Sequence, residues 1–215
     1  ETGLGNYIAD ALRTSMGTQI AITNGGGIRD MLPAKTFVPS DTSIVRPSWT
    51  SIVAGSTVAA TPWRVTSSGP YTLTVGDVAT VLPFGNVAAT TTITGADVWA
   101  ALESGVSQVS TGGGRFPQVS GLKFTFDMSI AANSGRVTAV TLTDGTPIPK
   151  STAVSYTLAT NDFMVAGGDG YTMFGGLAKA KTRDVLETIV RQAIIRDSLK
   201  GPVEMKTDGR ITRIG

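Results

Sequence analysis

Apolar positions spaced by three and four open the chain. Leu4, Ile8 and Leu12 fall at i, i+4 and i+8 with Tyr7 and Ala11 beside them, while Asn6, Asp10 and Arg13 take the other side. That spacing predicts an amphipathic helix over residues 3–16, stopped at Gly17. The period then changes. Ile20, Ala21 and Ile22 read as a short buried strand that runs into Asn24-Gly25-Gly26-Gly27. Farther on, Thr94 with Asp97 resembles a capping box, which predicts a helix over 95–107 with Val98, Leu102 and Val106 as its buried stripe. Leu122, Phe124 and Phe126 alternate with Lys123 and Thr125, the pattern of a half-buried strand. Residues 136–142 and 154–160 predict two more strands. Leu186, Ile189, Val190, Ala193 and Ile194 predict a closing helix over 183–197. The tail, 201–215, is polar apart from a short piece at Ile211–Ile214, expected as a peripheral strand or a loose end.

Two stretches read differently. Residues 71–82 carry two strand-like pieces, 71–75 and 78–82, broken at Gly76-Asp77. Residues 33–70 are punctuated by Pro33, Pro39, Pro47, Pro62 and Pro70 in a segment rich in Ser, Thr, Ala and Val. They predict a long excursion with short strands of its own, such as 51–58, pinned to the body by Trp49 and Trp63.

Composition narrows the function. The 215 residues suffice for one large domain or two small ones. Net charge is +2 and there is no run of Lys and Arg, so no nucleic-acid partner is expected. No stretch of about 18 apolar residues occurs, so no membrane span is expected. The chain has no Cys and no His. It therefore lacks the thiolate, the commonest metal ligand and the usual general base at neutral pH. An all-carboxylate site stays open, although Asp and Glu are scattered along the chain.

Candidate binding chemistry gathers at glycine-rich turns. A triple glycine is poor building material unless the backbone needs positive φ or must come close to something. Here Asn24 offers an amide, Gly26 and Gly27 an open backbone, and Arg29 a planar charged fork suited to phosphate or carboxylate. Phe84, between Pro83 and Gly85, is held on a turn, either as an ordinary core aromatic or as a stacking platform for a flat ligand. Asn161-Asp162-Phe163 precedes Gly167-Gly168-Asp169-Gly170, a turn bearing a carboxylate. Gly112-Gly113-Gly114 reads as a loop without the Lys-Ser/Thr ending of a phosphate-binding P-loop. Each of the three corners, at Asn24, Phe84 and Asn161, is expected at the end of a strand. Brought together, two Phe rings sandwich a planar base, Asp169 accepts from ribose hydroxyls, and Arg29 pairs with a phosphate. That set describes a nucleotide site.

In order, these pieces resemble the C-terminal domain of the 5′-nucleotidase / UDP-sugar hydrolase family. The residues that carry the resemblance are Glu1 with Leu4-Gly5-Asn6 and Ile8-Ala9-Asp10-Ala11, then Thr23 to Arg29, Val81-Leu82-Pro83-Phe84-Gly85-Asn86, Leu102-Glu103, Phe116-Pro117-Gln118-Val119-Ser120-Gly121-Leu122, and Asn161-Asp162-Phe163 with Gly167-Gly168-Asp169-Gly170. The resemblance implies an α+β (mixed αβ) fold in four layers, αββα, with helices outside two sheets. It implies a substrate-binding domain over 1–200 with an insertion at 36–70, and a C-terminal tail over 201–215. It implies that Asn24 and Arg29, with Gly26 and Gly27 between them, meet the phosphate end of an AMP-like nucleotide. Phe84 and Phe163 would clamp its base, Asn161 would shape the base pocket, and Asp169 would hold the ribose. In that family two divalent metal ions sit in a separate N-terminal metallophosphoesterase domain. This chain is accordingly expected to be inactive alone, to partner such a domain, and to work outside the cytoplasm, in extracellular, cell-surface or periplasmic space. The alternative expectation is a non-catalytic extracellular structural or assembly module that self-associates through 36–70.

Overall fold

The computed structural model describes residues 1–51, 63–65 and 69–215. Its elements in chain order are α1 (Gly3–Met16), β1 (Ile20–Asn24), β2 (Trp49–Ser51), β3 (Trp63–Val65), α2 (Val75–Val81), β4 (Val87–Thr94), α3 (Gly95–Val106), β5 (Pro117–Ser120), β6 (Leu122–Asp127), β7 (Val137–Leu142), β8 (Ser155–Asn161), α4 (Asp162–Val165), β9 (Lys181–Val185), α5 (Leu186–Ser198) and β10 (Ile211–Ile214). They form two compact units, one from residues 1–28 and 82–215, the other from residues 29–81.

The larger unit holds two mixed sheets, in the strand orders β5-β1-β8-β4-β9 and β10-β6-β7. The mixed αβ class expected from the sequence is the class found. β1 runs parallel to β8 and antiparallel to β5, and β6 runs parallel to β10 and antiparallel to β7. Side chains alternate between the two faces of β1. Ile20 and Ile22 enter one buried cluster with Val98, Leu102 and Phe126. The intervening Ala21 is fully buried outside that cluster, and α1 packs on β5, β1 and β8. α3 touches β4 and β5 of the large sheet and β7 of the small one.

α1 occupies the predicted residues. Thr2 accepts a hydrogen bond from the Gly5 amide at its start, and Gly17, at φ 63°, closes it by donating to the Arg13 and Thr14 carbonyls. α3 carries the expected capping box at Thr94 and Asp97. β6, β7 and β8 lie within a residue or so of their predicted spans. The closing helix starts later than expected, at Leu186, because Lys181–Val185 is instead an edge strand paired with β4. The Ile211–Ile214 piece is a strand paired in parallel with β6, and Ile211 joins the buried cluster.

One prediction fails outright. Residues 71–82 do not form two strands; Val75–Val81 is helix α2. The alternation there is outweighed by local hydrogen bonding. The Thr74 amide donates to Asp77 Oδ2 at 2.8 Å, and the Asp77 amide returns to Thr74 Oγ1 at 3.3 Å, a reciprocal cap that favours a helix start. As a result Phe84 follows a helix and precedes β4, rather than ending a strand.

The smaller unit is organised around that same Asp77, which is 0% exposed. Its carboxylate also accepts from the Ala34 amide at 2.8 Å and pairs with Arg46 at 2.7 Å. Arg46 in turn donates to the Ala34 and Phe37 carbonyls. β2 and β3 pair antiparallel, with Thr50 opposite Arg64. The strand expected over 51–58 falls, beyond its first residue, on positions outside the described residues, as do the Trp49 and Trp63 side chains expected to pin this segment.

Candidate functional site

Strand register brings three of the sequence corners to one end of the five-stranded sheet. Ala88 pairs with Asn161, so the start of β4 adjoins the end of β8. β1 runs alongside β8 with Ala21 next to Ala159, so Asn24 emerges at that same end. Pro117 pairs with Asn24 and adds the start of β5.

The polar residues there are wired in series. Asn161, 1% exposed, donates to Thr23 Oγ1 at 3.3 Å and to Asn24 Oδ1 at 3.1 Å. Its own Oδ1 accepts the Met164 amide at 2.9 Å and so caps α4. Asn24, also buried, donates its Nδ2 to Asp169 Oδ2 at 2.7 Å. Asp169 sits at φ 54°, in the left-handed region a non-glycine residue rarely adopts. Such strain persists only where the surroundings over-determine it; here the bond from Asn24 and the flanking Gly167 and Gly170, both at positive φ, do so. The second oxygen, Oδ1, carries no hydrogen bond among the described residues.

Two aromatics flank this edge and both face solvent. Phe84 is 60% exposed and Phe163 43% exposed, which is unusual for rings that normally carry core packing. The core-aromatic alternative for Phe84 is therefore set aside. Phe84 shares a notch with Thr23, Gly27, Asn86, Asn161 and Leu186. Its enclosed volume is about 10 Å³, room for one water. Phe163 is the second residue of α4, and its ring covers Gly168, where a Cβ would lie 2.5 Å from the ring. Asp162 ties the two turns together by accepting from the amides of Val87 at 2.9 Å and Phe163 at 3.0 Å.

The glycine turn after β1 has its own partner. The amides of Gly25 and Gly26 donate to the carbonyls of Phe116 and Gly114, both at 2.7 Å. A Cβ on Gly26 would lie 2.9 Å from the Gly114 Cα, so that position has no space for a side chain. Arg29 opens the smaller unit, where its amide donates to the Val81 carbonyl at 2.9 Å.

Arg115 is a residue that sequence reasoning misses, yet it belongs to this edge. Its Cζ, Nη1 and Nη2 are each 3.5 Å from where a Gly170 Cβ would stand, so the guanidinium lies flat against the Asp169 turn. Nη1 donates to Ser107 Oγ at 3.2 Å, and the Arg115 carbonyl accepts the Tyr171 hydroxyl at 2.6 Å. Burial, reinforced by the negative charge of Asp169, pushes the Tyr171 hydroxyl up and keeps it a neutral donor. A signal for Arg115 exists: Gly112-Gly113-Gly114-Arg115 repeats the glycines-then-arginine layout of Gly25 to Arg29.

Among the described residues, no three or more His, Cys, Asp or Glu side chains gather as a metal ion would require.

Comparison with known proteins agrees with this architecture. Residues 1–176 match the family model described as the 5′-nucleotidase C-terminal domain. The trifunctional nucleotide phosphoesterase protein YfkN of Bacillus subtilis is 32% identical over the whole chain, which spans 12% of that relative. The cell wall protein Lmo0130 of Listeria monocytogenes is 32% identical over 81% of the chain and 18% of its own length. A solved 5′-nucleotidase precursor from Thermus thermophilus superposes with a TM-score of 0.73 at 32% identity, covering all of this chain and 36% of that one. The chain belongs to the 5′-nucleotidase family and corresponds to its C-terminal domain. It spans well under half the length of these relatives, which carry further sequence beyond the matched region.

Proposed function

We propose that this chain is the nucleotide-binding, specificity-conferring domain of a longer, secreted and metal-dependent 5′-nucleotidase that cleaves nucleoside phosphates to nucleoside and phosphate. The observation that supports this most is the buried series Asn161–Asn24–Asp169, which ends in a carboxylate oxygen with no hydrogen bond among the described residues, at the sheet end that also carries the solvent-facing Phe84 and Phe163. In this reading Phe84 and Phe163 stack on the base. Asp169 Oδ1 accepts from a ribose hydroxyl, Asn161 and Asn24 hold that carboxylate in place, and Gly26, Gly27 and Arg29 meet the phosphate end. The bond-breaking chemistry, carried by divalent metal ions, belongs to an N-terminal metallophosphoesterase domain that partners this one. The protein then acts outside the cytoplasm, in keeping with a relative named as a cell wall protein.

Titration calorimetry of this chain with AMP tests the proposal. Each base–aromatic stack is worth about 1–3 kcal/mol. Phe84→Ala and Phe163→Ala should therefore each weaken binding by about ten- to a hundredfold. Saturable AMP binding that both substitutions leave unchanged would overturn the assignment of the base clamp.

A further inference from the structure

The other end of β5, away from Asn24, opens into a second cavity that the nucleotide reading does not use. It measures about 350 Å³, within the range of small-molecule sites. Arg13, Ser120, Gly121, Lys123 and Arg210 line it, together with the carboxylates of Asp10 and Asp208.

The acidic side of this lining is already satisfied from within. Arg210 is largely buried, and every donor of its guanidinium is engaged. Nε donates to Asp208, Nη1 to Asp10 and the Val119 carbonyl, and Nη2 to both carboxylates. Asp10 accepts additionally from Ser120 Oγ. Both acidic groups are thus spent on one arginine and one hydroxyl. The wall differs. Arg13 gives only its Nε to Ser120, at 2.8 Å. Among the described residues no carboxylate stands within ion-pair distance of Arg13 or of the exposed Lys123. The surplus at this cavity is therefore a guanidinium fork and an ammonium, both donors without acceptors.

A donor-only wall of net positive charge calls for a ligand that brings acceptor oxygens. Gly121 brings the backbone close at this cavity: it sits at φ 77°, and a Cβ there would meet the Gln19 carbonyl oxygen and the Arg13 Cδ. We propose that this cavity is a second binding site, separate from the nucleotide edge, for a small phosphate-type oxyanion, free or carried on a short organic group. Arg13 and Lys123 are its ligand contacts, and the Asp10–Arg210–Asp208 cluster is the rigid base that holds Arg13 through Ser120. The proposal stands whether or not AMP binds at Phe84.

Amide chemical-shift titration of the whole chain tests it, with inorganic phosphate in one arm and glycerol 1-phosphate in the other. The expected result is saturable shifts at Gly121, Leu122, Lys123 and Thr143. Tighter binding of glycerol 1-phosphate would identify an organic ester as the natural form, and equal affinity would identify free phosphate. Lys123→Gln, at an exposed position, should weaken both by several-fold. Arg13→Gln with Lys123→Gln together should weaken them by about tenfold or more. If Arg13→Gln disturbs the fold, Lys123→Gln alone decides. No saturable shift at these amides, shifts confined to residues around Phe84 and Asp169, or an affinity indifferent to Lys123→Gln would each overturn the proposal.

Discussion

Two buried polar clusters in this molecule use similar groups to opposite ends. Asp77 in the smaller unit is surrounded by donors: the Ala34 and Thr74 amides, the Thr74 hydroxyl and the Arg46 guanidinium. Both of its oxygens are engaged, and nothing is left to offer a ligand. The Asn161–Asn24–Asp169 series in the larger unit is equally well anchored at its buried end but stops with one carboxylate oxygen open at a half-exposed position. A closed cluster contributes to stability, and removing a member leaves an uncompensated charge. An open one holds a binding group in a fixed direction before the ligand arrives, which reduces the ordering that binding must impose.

Four expectations break or sharpen that contrast. The largest effect belongs to the closed cluster. Asp77→Ala strands Arg46 and removes the cap of α2, and should lower stability by about 3–5 kcal/mol, measured as a shift in the urea midpoint at unchanged slope. Asn161→Ala comes next. It leaves the Asn24 side-chain Oδ1 and the Met164 amide without these partners, at a cost of about 1–3 kcal/mol, and should weaken AMP binding as well. A variant that loses stability but binds AMP normally would uncouple the series from the site. Phe84→Ala, at a solvent-facing position, should change stability by no more than about 0.5 kcal/mol. A larger loss in a thermal melt would return this ring to the core. The smallest effect is one of pH, at the Glu1 and Asp208 clasp of the larger unit. Glu1 accepts from the Asn6 side chain and from the Asp208 and Ile211 amides, and these bonds outweigh burial and hold its carboxyl below the usual range. The hydrogen bond from Arg210 holds Asp208 low too. Both groups bind protons more readily in the unfolded chain, so their contribution is intact at neutral pH and is lost as pH falls through and below the ordinary carboxylate range. Hydrogen exchange of the β10 amides, corrected for intrinsic rates, should lose protection on acidification, while the β1 amides keep theirs.

The same chemistry explains which parts of the fold are legible in advance. Thr94-Gly95-Ala96-Asp97 and Thr74-Val75-Gly76-Asp77 carry one capping pattern, and both start helices. The first is legible because a stripe of Val98, Leu102 and Val106 follows it. The second is followed by only two turns and is preceded by the alternation of Tyr71 and Leu73, so period two outweighs the cap. β4 escapes sequence reading for a related reason: its run of threonines and alanines has little hydrophobic contrast between faces, and its identity comes from pairing with β8 on one side and β9 on the other. At the candidate site, Asn24, Asn161 and Asp169 are legible as polar residues at glycine turns. Their connection in series is not, because it depends on β1 lying parallel to β8, a contact across more than a hundred residues. Arg115 escapes because its glycines, weighed against a P-loop pattern, read only as a loop. Its position flat against Gly170 comes from the approach of the 112–116 loop to the Asp169 turn.

The most direct test is a crystal structure of this chain with AMP bound. The account predicts the adenine ring between the Phe84 and Phe163 side chains and a ribose hydroxyl on Asp169 Oδ1. An adenine bound elsewhere, with both rings still facing solvent and the Asp169 oxygen still open, would contradict it.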